Sequence, residues 1–244
     1  MNECSQTNKA QLYIFLILLG LCTAALWRLS NPRPAIIDGV PYINQIERYP
    51  TGCESVSTVM ALNYFGIDIT VDQFINDYLD MGALPHLDQN GNIIGSNPKK
   101  AFPGNPYTQD GYGCFAPVII NAVNKFIDNN EYEIRAIYNK PISELCGAYI
   151  DKGIPVILWA TIDMKPPMQG NSWMDEEGET INWIIPQHCA LLIGYDNDCY
   201  YFNDPMRSRM FKYNKNDVET AYEAMNKQAV VIQKKINTTA NKNP

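Results

Sequence analysis

The hydropathy pattern of the chain opens on a run with no polar face. Residues 11–27, QLYIFLILLGLCTAALW, carry no charge. Their number sits at the short edge of the roughly 17–25 residues that cross a bilayer. Nothing polar breaks the run to give a soluble helix its outer face. It therefore reads as a membrane anchor behind an N-terminal tail at 1–10. A cleaved signal peptide is the close alternative, because Thr23-Ala24-Ala25 supplies small residues of the kind a signal peptidase accepts. Leu21 before Cys22 argues against a lipoprotein junction. Asn31-Pro32-Arg33-Pro34 then forms the stiff core of a linker over 28–35.

From Ile36 the pattern is that of a folded domain, expected over 36–236 and followed by a polar tail at 237–244. Residues 36–43 read as a short opening strand. Tyr49-Pro50-Thr51-Gly52 breaks the chain, and Cys53 opens a helical pattern closed by Gly66. Val56, Val59, Met60 and Tyr64 recur at helical spacing and mark its buried face. Thr70 with Gln73 is a capping-box pattern for a second helix through Tyr78 and Leu79, closed by Gly82. Further helices are expected at 115–128 and at 143–152, the latter ended by Gly153.

Residues 154–162 have the composition of a buried strand. HCALLIGY at 188–195, a turn at Asp196-Asn197-Asp198 and CYYFN at 199–203 read as strand, turn and strand, an antiparallel hairpin. A short strand at Met210–Tyr213, a helix near 216–226 and a last strand at 229–235 complete the pattern. Helices first and antiparallel hairpins later is an α+β order. Two stretches show neither period. One is 83–114, rich in Gly, Pro, Asn and Asp; the other is 163–183, which holds Met164, Met168, Trp173 and Trp183. A run as long as the first inside a compact domain reads as a loop bordering an active site.

Composition narrows the possible partners. Of 244 residues 46% are hydrophobic, enough for one domain with a substantial core. The net charge is −7 and no stripe of Lys and Arg occurs, so nucleic acid is not an expected partner. No phosphate loop of the GxxxxGKS type is present in these residues, which excludes an attached nucleotidase. Seven cysteines include no CxxC pair, and with only His86 and His188 a Cys/His metal cluster has few candidates. No metal and no cofactor are expected. Cys114, Cys146, Cys189 and Cys199 read more readily as buried free thiols than as disulfides, although pairing stays open.

Chemistry concentrates at three places. A thiol attacks as thiolate, and a helix N-terminus favours that form through its unsatisfied N–H groups; Cys53 at a helix start meets the requirement. A cysteine there is by itself more often structural. His188 stands at the rim of an apolar strand, where its ring can leave the sheet end for a cleft, or be satisfied locally. The next strand ends at Asp204, on a neighbouring strand and within reach of the second ring nitrogen, though an Asp before Pro205 also suits a turn. Gln45 could offer its amide to an oxyanion beside the Cys53 N–H, or be a surface residue. His86 has no comparable partner and reads as a loop residue.

Taken together these residues resemble a family. The segments Val40-Pro41-Tyr42-Ile43-Asn44-Gln45, Pro50-Thr51-Gly52-Cys53-Glu54-Ser55 and Leu62-Asn63-Tyr64-Phe65-Gly66 are similar to the opening of the bacteriocin-processing, double-glycine peptidase-like family. The likeness continues through Gln187-His188-Cys189-Ala190-Leu191-Leu192-Ile193-Gly194-Tyr195-Asp196 and Tyr201-Phe202-Asn203-Asp204-Pro205, and spans about 38–235. It implies a papain-like cysteine peptidase fold, with the nucleophile at a helix start packed on an antiparallel sheet. It also implies roles: Cys53 as nucleophile, His188 as base, Asp204 as orienting group and Gln45 as oxyanion donor.

The resemblance further implies hydrolysis of a peptide bond through a thioester. Relatives fused to transporter ATPases cut after Gly-Gly. The insertion at 83–114, with Asn105-Pro106 and Gly111-Tyr112-Gly113-Cys114, resembles the stand-alone Gram-positive branch instead, so Gly-Gly preference is not implied. The expected partners are a peptide or protein substrate and the membrane, for a monomeric chain. A non-catalytic, membrane-tethered peptide-binding module is the rival reading, and transpeptidase or amidase chemistry could use the same parts. The expected location is the cell membrane with the catalytic part outside, or secretion after cleavage. Lys9 before the apolar run and Arg28 and Arg33 after it lean the other way.

Overall fold

A computed structural model of the chain describes residues 16–21, 23 and 34–235. Of the N-terminal unit, Met1–Pro34, residues 16–21 are helical. Among the described residues no helix is long and apolar enough to cross a membrane. Most of the 11–27 run, nearly all of the linker and the polar tail lie outside the described residues.

The second unit begins at Ala35. Its elements, in chain order, start with β1 (Ala35–Ile36), α1 (Cys53–Tyr64) and α2 (Val71–Gln73), which runs on as a π-helical turn over Phe74–Tyr78. Four two-residue strands follow: β2 (Met81–Gly82), β3 (His86–Leu87), β4 (Ile93–Ile94) and β5 (Phe102–Pro103). Next come α3 (Ala116–Asn124), β6 (Tyr132–Tyr138), α4 (Ile142–Ala148) and β7 (Val156–Thr161). The chain continues through β8 (Met168–Met174), β9 (Thr180–Ile185), β10 (Gln187–Tyr195) and β11 (Cys199–Asn203). It ends with β12 (Phe211–Asn214), α5 (Lys215–Ala224) and β13 (Gln228–Lys234).

The main sheet is antiparallel, in the order β12-β11-β10-β7-β13-β6, with β1 added to β10. All six residues of β7 are buried, so both sheet faces are covered; α1 and α5 each pack against that strand. This is the α+β arrangement that the element order predicts. The capping box is present: the Thr70 hydroxyl accepts from Gln73 N at 3.1 Å, and Gln73 Oε1 accepts from Thr70 N at 3.0 Å.

Helix α1 departs from its expected one-sided burial. Every residue from Cys53 to Leu62 is buried, whereas Tyr64 is half-exposed, so the helix is internal. Its polar side chains are drawn into the core with partners: Ser57 Oγ donates to the Cys189 carbonyl at 3.2 Å, and Thr58 Oγ1 to the Glu54 carbonyl at 2.7 Å. The opening strand is shorter than the pattern suggests. Gly39, with φ of +77°, turns the chain away after β1, and residues 40–45 run on without strand pairing. The second helix stops at Tyr78, because Leu79 is extended and Gly82 belongs to β2.

The two aperiodic stretches are not open loops. They pair with each other in a second sheet of order β3-β4-β8-β9. Of the strand residues of β8 and β9, Trp173, Ile181 and Trp183 are buried, with Tyr112 and Phe115 packed against them. Gln169, Asn171 and Ser172 leave β8 polar, so the alternation is too short to register as a strand. Residues 132–138 form an edge strand, which tolerates Glu133 and Arg135 along its length. All five cysteines from Cys53 onward are free; Cys199 is half-exposed and the others are buried.

Candidate active site

The break before α1 sets the thiol. Gly52 is the N-cap and offers no side chain, so the first turn of the helix is left for other groups to satisfy. Cys53 is the first helical residue and is 5% exposed. Strand β10 begins two residues before Cys189, whose carbonyl accepts from Ser57 one turn along α1. That bond seats the helix start against the start of β10, where His188 stands. The register of β10 on β11 pairs Leu191 with Asn203, which sets Asp204 opposite Ala190. His188, two residues back and on the same face, lies diagonal to Asp204.

The two side chains meet. His188 Nε2 is 2.9 Å from Asp204 Oδ1, and both residues are 1% exposed. Asp204 Oδ1 also accepts from Met206 N at 2.9 Å, and Oδ2 accepts from the Tyr213 hydroxyl at 2.6 Å. Burial alone would raise the Asp204 carboxyl, but His188, Tyr213 and the Met206 N–H together hold it below the usual carboxylate range. An ionised carboxylate can only accept, so Nε2 carries a ring proton, and in the neutral imidazole Nδ1 keeps its lone pair. Nδ1 is buried and has no hydrogen-bond partner among the described residues.

Gln45 joins the same cluster through its neighbours. Its backbone N–H donates to the Pro205 carbonyl at 3.0 Å, and its side-chain amide donates to the Pro50 carbonyl at 3.2 Å. The side chain is buried, with Oε1 unpartnered. Sequence-distant segments thus converge: the loop before α1, the start of β10 and the turn after β11. His86 lies apart, exposed, with its ring nitrogen against the Leu84 carbonyl.

The thiol itself departs from expectation. Cys53 Sγ donates to Glu54 Oε2 at 3.3 Å rather than to His188. Burial, and then the Glu54 charge, push the thiol well above its ordinary value, against the lowering that a helix start alone supplies. Sequence reasoning assigned no role to Glu54, Gln187 or Tyr213. For Glu54 the signal was an acidic residue in the first turn of a helix otherwise destined for the core; for Tyr213 no local signal exists. Among the described residues, no group of three or more His, Cys, Asp or Glu side chains is placed to share a metal ion.

The domain also carries an open cleft with a volume of about 500 Å³. Leu84, Pro85, Tyr112, Asn171, Trp183 and Ile185 line it. None of Gln45, Cys53, His188 and Asp204 lines it, but two of its wall residues are close in sequence to the cluster: Tyr112 precedes Gly113 and Cys114, which lie against Glu54, and Ile185 lies three residues before His188.

Comparison with known proteins places this fold. A family model described as "Peptidase_C39 like family" matches residues 37–230. The uncharacterized protein YvpB of Bacillus subtilis (strain 168) is 29% identical over 198 residues, covering 78% of this chain and 73% of that protein. A crystal structure from Bacillus anthracis, assigned as a C39-like peptidase, superposes with a TM-score of 0.72 at 26% identity. That match covers 83% of this chain and 98% of the other.

Proposed function

The chain belongs to the peptidase C39-like family, and from that premise we propose a cysteine peptidase that hydrolyses peptide bonds through a thioester acyl-enzyme. The observation that carries this reading is the pair of unequal nitrogens on His188. One is fixed by Asp204; the other is a buried lone pair without a partner. A purely structural histidine would satisfy both, since an unpaired buried polar atom costs about 1–3 kcal/mol. A general base must keep such a lone pair free for a proton.

In this reading Nδ1 takes the Cys53 proton as sulfur attacks the scissile carbonyl carbon. The oxyanion is held by the Cys53 N–H and the Gln45 amide. The tetrahedral intermediate collapses, the C–N bond breaks, and the imidazolium returns the proton to the leaving amine. Water then attacks the thioester and gives its proton to Nδ1. Collapse expels the sulfur, which recovers that proton, and the new carboxyl product leaves. Asp204 supports the imidazolium throughout, and Tyr213 steadies Asp204.

The substrate is proposed to be a peptide or protein lying along the cleft walled by Tyr112, Trp183 and Ile185, whose apolar surface suits bulky side chains. Residues 11–27 are proposed to hold a monomeric chain at the membrane, with the catalytic part outside. The test is a peptide library and a thiol-directed activity probe applied to the full chain. The parent should cleave and be labelled at Cys53, and Cys53→Ala and His188→Ala should do neither at a comparable rate. Cleavage that survives Cys53→Ala would overturn the reading.

A further inference from the structure

We infer that Glu54 is a positioning residue for the nucleophile: it holds the Cys53 S–H on its own carboxylate, off His188, and so restrains ionisation of the sulfur until a substrate engages. This rests on Cys53 being the nucleophile proposed above. Glu54 is wholly buried, and both oxygens of its carboxylate accept hydrogen bonds. Oε1 accepts from Cys114 N at 2.9 Å and from Gln187 Nε2 at 2.8 Å, while Oε2 accepts from Cys53 Sγ at 3.3 Å. Among the described residues, no Lys or Arg forms an ion pair with it.

A buried carboxylate without a cationic partner is costly, and the fold accommodates it closely. A Cβ at position 113 would come within 2.7 Å of Glu54 Oε1 and 2.8 Å of Gln187 Oε1. Gly113, at φ of +119°, therefore lets the backbone press on the carboxylate. Burial outweighs the hydrogen bonds from its own backbone, Cys114 and Gln187, which favour the ionised form, and leaves the Glu54 carboxyl raised above its ordinary value.

The proposed mechanism thus offers the thiol a second acceptor. Glu54 Oε2 is occupied by it and His188 Nδ1 is unpartnered. Negative charge on Glu54 opposes a second negative charge on sulfur, whereas transfer to Nδ1 creates an ion pair. The other titratable groups facing this contact are Cys189 and His188 from β10, Cys114 from the segment before α3, and Asp204 behind the imidazole. None of them is a cation able to offset Glu54 except a protonated His188. Gln187, the residue before His188, donates to Glu54, so the start of β10 carries one group that holds the first acceptor and another that is the second.

The test is the rate of Cys53 alkylation by iodoacetamide against pH, read site by site by mass spectrometry on the full chain. Glu54→Gln keeps an acceptor for Cys114 and Gln187 but turns an N–H toward sulfur. Its labelling midpoint should fall by about one pH unit or more, with roughly tenfold faster labelling below the parent's midpoint. An unmoved midpoint in a folded Glu54→Gln protein would show that Glu54 only fills space. Should that variant not fold, Glu54→Asp draws the carboxylate back by one methylene and must shift the midpoint the same way by less; no shift there overturns the assignment. His188→Ala separates this from the reading beneath it. A parent profile that does not depend on His188 sinks the peptidase reading, while a His188-dependent profile blind to Glu54 sinks the Glu54 role alone.

Discussion

Gln45 donates its backbone N–H to the carbonyl of Pro205, the residue after Asp204, at 3.0 Å. One main-chain bond thereby sets the loop before α1 in register with the turn that carries the proposed orienting group. The Gln45 side-chain amide donates to the Pro50 carbonyl at 3.2 Å. Gln45→Ala should therefore lower kcat by about 10²–10³ while changing KM little, if its amide acts on the oxyanion. Steady-state kinetics on a cleaved library peptide decide it. A raised KM at unchanged kcat would assign Gln45 to ground-state binding instead.

Asp204→Asn should keep the fold and remove the acceptor that fixes Nε2–H, with a loss of about 10²–10⁴ in kcat. Tyr213→Phe, which removes one donor to the same carboxylate, should lose less. Asp204 also predicts an acid limit to stability. Its folded pKa lies below the ordinary value near 3.9. Its contribution is complete above that value and is lost as pH falls through the folded pKa. The melting-temperature gap between parent and Asp204→Asn should therefore be widest near neutrality and close below about pH 4. A gap that stays constant into acid would contradict it.

Trp173 is 2% exposed, packs against Tyr112 and Trp183, and donates its indole N–H to the Ser96 carbonyl at 3.0 Å. Trp173→Ala should cost about 3–5 kcal/mol in denaturant unfolding. The damage should fall on the second sheet, exposing 84–112 to limited proteolysis and changing peptide preference. Labelling of Cys53, carried by the main sheet and α1, should persist. Loss of both together would mean that the two sheets unfold as one unit.

The apolar run at 11–27 predicts that the full chain fractionates with membranes and that a chain beginning at Pro34 is soluble. Protease added to intact cells should cut the catalytic part if it lies outside. Protein recovered from the medium with Ala25 at its N-terminus would replace the anchor with a cleaved signal peptide.

Much of this site was legible before folding because its signals are local. Gly52 after a proline-stiffened turn marks where α1 begins, so Cys53 could be placed at a helix start. Apolar, strand-like runs on both sides of the Asp196-Asn197-Asp198 turn mark a hairpin, so His188 and Asp204 could be set on adjacent strands. The Thr70–Gln73 box forms as written. Such patterns depend on residues a few positions apart, and steric and hydrogen-bonding rules act over that same distance.

Other features depend on partners far away in the chain. Asn97, which donates to Asp175 at 2.9 Å, and the pairing of Ile94 with Met174 join the two aperiodic stretches into a sheet. Neither stretch carries enough alternation to announce it. Position in sequence likewise made Glu54 an ordinary first-turn acid. Only the arrival of Cys114 from one side and Gln187 from the other buries it and leaves its second oxygen to the thiol. The sequence by itself determined which residues could be nucleophile, base and orienting group, because local geometry placed each at the end of an element. Tertiary structure alone decided which acceptor holds the sulfur's proton, because desolvation and hydrogen bonding are set by whatever packs around a group once the chain has closed.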